Sequence, residues 1–94
     1  MSVTTLINPA DESVIQDVAN RSVAEVDDAI LHAVSAQKAW AALPPAERAA
    51  ALRRFALAVE GAIEELALLE VLNSGHPISQ ARWEAGHVRD VLNY

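Results

Sequence analysis

Few side chains in this sequence are of types that do chemistry, and their spacing limits what they can do. The histidines are His32, His76 and His87, and cysteine is absent. Without cysteine there is no thiolate to attack a carbonyl or hold a soft metal, and no disulfide. His87 follows Glu84 at a helical spacing, but two ligands do not make a zinc site. A solvated helix face is the expectation there. Ser74 stands close to His76 across Gly75. Residues around a glycine at a helix end are usually cap residues, and nothing nearby supplies an oxyanion hole. The carboxylate pairs Asp27-Asp28 and Glu64-Glu65 are neighbours in sequence, and adjacent helical residues point in different directions. Glycines at 61, 75 and 86 build no phosphate-cradling loop.

Trp83 offers more. It adjoins Glu84 and lies one helical turn before His87. A ring beside a carboxylate holds a cation through the ring quadrupole and the charge. Packing of Trp83 against the preceding helices is the plainer expectation, as is core packing for Trp40. Arg48, Arg53 and Arg54 form a basic strip, and the spacing of Arg48 to Glu47, Glu60 and Glu64 reads as ordinary surface charge mixing.

The elements that position these residues follow from local signals. Thr4-Thr5-Leu6-Ile7 and Val14-Ile15-Gln16-Asp17-Val18 are short, β-branched runs around the turn formers Asn8-Pro9-Ala10-Asp11-Glu12-Ser13. They predict a hairpin over about 4–19, which must pack on something to be stable. Ser22 and Glu25 have the capping-box spacing. Val26, Ala29, Ile30, Ala33, Ala36 (or Gln37) and Trp40 then recur at helical intervals, so a helix is expected over about 22–42. Pro44-Pro45 stops it, and Pro45 suits the first position of the next helix. Leu52, Phe55, Ala56, Val59, Ile63 and Leu66 form a stripe within about 45–73, with a kink or break expected at Gly61. Gly75 reads as a helix C-terminal glycine. A last helix is expected over about 78–94, with Trp83, His87, Val91 and Tyr94 on one side.

With 94 residues the chain holds one small domain at most. Seven basic against thirteen acidic residues give a net charge of −6, which argues against nucleic acid as a partner. A hydrophobic content of 52% is too high for a disordered tail. The run Met1–Pro9 carries no basic residue and is broken by proline, so it does not read as a signal peptide. No stretch suggests a membrane span. A cytoplasmic location is the expectation.

The order of these pieces resembles the opening of the NAD(P)-dependent aldehyde dehydrogenases. The likeness lies in Asn8-Pro9-Ala10, Val14-Ile15, Val26-Asp27-Asp28-Ala29 and Ala39-Trp40. It continues through Leu43-Pro44-Pro45-Ala46-Glu47-Arg48, Leu52-Arg53-Arg54-Phe55-Ala56 and Glu65-Leu66-Ala67. Glu70-Val71-Leu72-Asn73-Ser74-Gly75-His76-Pro77, Ala81-Arg82-Trp83-Glu84 and Asp90-Val91-Leu92-Asn93-Tyr94 complete it. The resemblance implies a mostly α segment with an N-terminal β-hairpin, the start of the α/β Rossmann-like cofactor domain. It implies NAD or NADP in the parent enzyme. The family's catalytic cysteine, its catalytic glutamate and its cofactor-phosphate loop come later in the family's chain, so no catalytic or cofactor residue is carried over and no cofactor is expected for this chain alone. The family's usual Thr-Gly in the hairpin turn is Asp11-Glu12 here, and its usual Lys before proline is His76. In several members the helix matching 78–94 borders the substrate entrance. In the betaine and aminoaldehyde branch an aromatic–acidic pair helps hold a cationic substrate. Trp83-Glu84 resembles that pair, which makes Trp83, Glu84 and His87 the candidate substrate-entrance residues.

Three readings compete. The chain is an N-terminal fragment of an aldehyde dehydrogenase, a split-enzyme subunit that binds a complementary piece, or a non-catalytic short helical interaction protein derived from the family. The first predicts apolar helix faces that the remainder of the dehydrogenase covers, or that self-associate in its absence.

Overall fold

The computed structural model describes residues 2–94; Met1, the start of the run read above as no signal peptide, lies outside them. Strands β1 (Val3–Ile7) and β2 (Val14–Ala19) form an antiparallel hairpin, followed by α1 (Val23–Ala42), α2 (Pro45–Gly61), α3 (Ile63–Ser74) and α4 (Ile78–Asn93). The hairpin register pairs Val3 with Ala19 and Thr5 with Asp17, with an irregularity after Leu6. Its turn is held by its own polar side chains. Asn8 Oδ1 accepts from the Ala10 amide at 2.9 Å, and Asp11 Oδ1 accepts from the Ser13 amide and hydroxyl at 2.9 and 2.6 Å. These bonds hold the Asp11 carboxyl below its usual range, the Ser13 hydroxyl most of all. Glu12 takes a left-handed φ of 64°, a conformation that suits glycine and strains an L-residue.

The capping box forms as the spacing implies. Ser22 Oγ accepts from the Glu25 amide at 3.2 Å, and Glu25 Oε2 accepts from the Ser22 amide at 2.8 Å. Arg48 reaches back from α2 and donates to the Leu43 carbonyl at 2.6 Å. This is a correction to its reading as surface charge mixing. The last turn of α1 carries no basic residue of its own, and Arg48 satisfies a carbonyl the helix end leaves open. The run expected over 45–73 breaks at Ala62, beside Gly61, where φ −113° and ψ 8° end one helix and begin the next.

The packing is thin. The shortest dimension is 14 Å, close to one helix diameter of about 10–12 Å. The radius of gyration is 17.2 Å, against about 12 Å for a compact chain of this length. Buried residues are small and come from α2, α3 and α4: Ala56, Val59, Ala67, Ala81 and Ala85. Alanine lets these helices approach closely but removes little apolar area from water. Within the apolar stripe of α2 and α3, Ala56 and Val59 are buried while Leu52, Phe55 and Leu66 remain exposed. The α1 stripe is open too, as the fragment reading implies, and of the expectations for this helix only the core packing of Trp40 is not met. α1 buries no residue, and Val26, Ile30 and Trp40 are all exposed. Periodicity identifies the apolar face of α1, and among the described residues nothing buries it. Full burial of such a side chain contributes about 1.5–3 kcal/mol, and on α1 most of that is unrealised.

Candidate functional site

α4 is positioned by its contacts with α2 and α3. From α3, Glu64 accepts a two-nitrogen grip from Arg82, with Nε and Nη2 both within 3.0 Å. From α2, Glu60 lies 3.6 Å from Arg89, which also donates to Asp90 at 2.9 Å. These pairs shift the acids and bases in the expected senses. The hydrogen bond from Arg82 holds the Glu64 carboxyl down, and Glu64 in turn holds the Arg82 guanidinium up. Arg89 lowers Asp90, chiefly by its hydrogen bond.

On this helix Trp83 and His87 come together. Their rings are 5.1 Å apart and nearly parallel, at 7°. Trp83 is 64% exposed, so the expectation that it packs against the preceding helices is not met. Its partner is the imidazole one turn along its own helix. With Ile63, Arg82, Arg89 and Asp90 the two rings line an open groove. Glu84 does not join them. Its carboxylate is 3.6 Å from His76 Nε2, so the residue adjacent to Trp83 in sequence faces another group in space.

His76 was not among the sequence-derived site residues. It stands between Glu84 and Glu70, whose Oε1 is 3.5 Å from His76 Nδ1. One signal was available: the glycine before it and the proline after it mark a turn that places its ring between two helices. Donor atoms of Glu70, His76 and Glu84 all lie within 4.8 Å of one another. His32 sits apart on α1, with Nδ1 2.9 Å from the Asp28 carbonyl oxygen. The Ser74 hydroxyl is bonded to the Glu70 carbonyl oxygen and to Glu70 Oε1, at 2.8 and 2.9 Å. That commitment disposes of the Ser74–His76 pairing as a nucleophile and its base.

No thiolate exists in the sequence, and the charged side chains of the groove neutralise one another. Gly61 and Gly86 lie within helices and Gly75 ends one, so among the described residues no glycine-rich phosphate loop is formed.

Among the described residues no helix is long and apolar enough to cross a membrane. The family model described as "Aldehyde dehydrogenase family" matches residues 2–94. A betaine aldehyde dehydrogenase of Cereibacter sphaeroides is 37% identical over 84 residues, which is 86% of this chain and 17% of that protein. A vanillin dehydrogenase of Corynebacterium glutamicum is 42% identical over 82 residues, again 87% of this chain and 17% of the relative. Among solved structures, a NAD-dependent benzaldehyde dehydrogenase from Corynebacterium glutamicum superposes with a TM-score of 0.91 at 37% identity, covering 98% of this chain and 20% of the other. The chain spans about a fifth or less of the length of these relatives. It corresponds to their N-terminal part, and it belongs to the aldehyde dehydrogenase family.

Proposed function

We propose that these residues open an NAD(P)-dependent aldehyde dehydrogenase, an enzyme that oxidises an aldehyde to a carboxylic acid. The observation that carries this reading is the match of residues 2–94 to the family, together with the superposition on one fifth of a solved member. That member is NAD-dependent by its description, which favours NAD in the parent enzyme. Within the parent, residues 1–94 form the first part of the cofactor-binding domain. The remainder of the dehydrogenase covers the apolar face of α1 and the outer faces of α2–α4. The parent works in the cytoplasm, without nucleic acid or membrane as partner.

The 94 residues by themselves are inactive. They hold no nucleophile and no cofactor loop, so their part in the reaction is structural. Alone, they self-associate through the exposed apolar faces. Trp83, Glu84 and His87 border the substrate entrance. Identity with a betaine aldehyde dehydrogenase supports a cationic aldehyde, and the similar identity with a vanillin dehydrogenase supports a neutral aromatic one. The test is to purify the native product that carries these residues and to follow aldehyde-dependent reduction of NAD and NADP. Reduction of either cofactor is expected. A product that oxidises neither aliphatic, aromatic nor cationic aldehydes with either cofactor contradicts the reading.

A further inference from the structure

The junction between α3 and α4 holds a cluster that shares only Glu84 with the function just described. Gly75 ends α3 in left-handed backbone at φ 75°, and Pro9 of the hairpin turn packs against it, with Pro9 Cγ 3.1 Å from where a Cβ would stand. Pro77 then begins α4. His76 is confined between these two residues and faces both helices, with Nδ1 3.5 Å from Glu70 Oε1 and Nε2 3.6 Å from Glu84 Oε1. A neutral imidazole carries one ring N–H and can serve one of these carboxylates. The imidazolium carries two, and a charge that attracts both.

We propose that His76 is a proton-operated brace between α3 and α4. Protonated, it ties Glu70 to Glu84; neutral, it releases one of them. The groups around it fit this role. α3 contributes the Glu70 carboxylate, which also accepts from the Ser74 hydroxyl. α4 contributes the Glu84 carboxylate, and the hairpin turn contributes the uncharged Pro9. Other charged groups of the same elements have partners of their own, Glu64 with Arg82, Glu60 with Arg89 and Asp11 with Ser13. All three side chains of the brace are between 35% and 45% exposed, so water screens it and its effect is modest. The brace holds while the imidazole carries both ring protons and is lost when it carries one.

The test is a double-mutant cycle in the native product, with His76→Gln, Glu84→Gln and the double variant melted at about pH 5.5 and about pH 8. A coupling of about 1–2 °C in Tm is expected at the acid value and none at the alkaline one. His76→Lys, charged at both values, should show the coupling to Glu84 at both. Coupling that is absent at both values, or equal at both with histidine in place, overturns the proposal. So does coupling confined to the alkaline value and abolished by a chelator, which would mean that neutral His76 holds a metal ion.

Discussion

Arg82 of α4 binds the Glu64 carboxylate of α3 through two nitrogens, Nε and Nη2, with the closest contact at 2.8 Å. A planar fork on a carboxylate is the strongest geometry available to an exposed ion pair. It joins α4 to α3 one residue before Trp83.

A pH dependence follows. The Glu64 carboxyl is held below its ordinary value of 4.5 by Arg82. A carboxyl lowered by folding stabilises the folded state above that ordinary value. The contribution is lost as pH falls through the lowered one. Glu64→Gln should therefore reduce Tm at neutral pH, and the difference from the parent should shrink in acid. Thermal melts across the acid range check this; a difference that stays constant into strong acid contradicts it.

Ser22→Ala removes one half of the capping box. The loss of such a cap costs about 1 kcal/mol. α1 buries none of its residues, so the cost should appear locally, as faster amide exchange in the first turns of α1. Protection in α2–α4 should be unchanged. Hydrogen exchange of the two proteins decides it.

Glu12→Gly should stabilise the hairpin. Glu12 holds φ at 64°, and left-handed backbone costs a non-glycine residue about 1–2 kcal/mol. Part of that gain is offset because glycine loses more freedom on folding. The expected sign is a higher Tm or slower exchange in β1 and β2, and a lower Tm would contradict it.

Trp83→Ala in the full enzyme tests the entrance residues. The exposed ring stacked on His87 should contribute to substrate entry, so KM should rise several-fold for at least one class of aldehyde, cationic or neutral, with kcat less affected. Unchanged kinetics on both classes remove Trp83 from the entrance.

Local chemistry made several features legible in advance. The Ser22–Glu25 box, Pro45 at a helix start and Gly75 at a helix end each depend on neighbours within a few residues, and sequence shows those neighbours directly. Trp40 and Trp83 were harder. A period of 3.6 says that Val26, Ile30 and Trp40 share a face, but it does not say what covers the face, and here these residues lie open. The buried set is hard to read for a related reason: α2, α3 and α4 meet at Ala56, Ala67, Ala81 and Ala85, and a period of 3.6 does not say which members of a stripe lie at a contact. The meeting of Glu70, His76 and Glu84 depends on how α3 turns into α4, and spacing alone does not encode that. Glu84 was read as the neighbour of Trp83, and in space it answers to His76.

The most direct test of the central claim is the intact mass of the protein produced from its native gene. The account predicts a mass about five times the 10.1 kDa of these residues, since they cover 20% of a solved relative. A native product of 10.1 kDa that is monomeric and unfolds cooperatively by itself would contradict it.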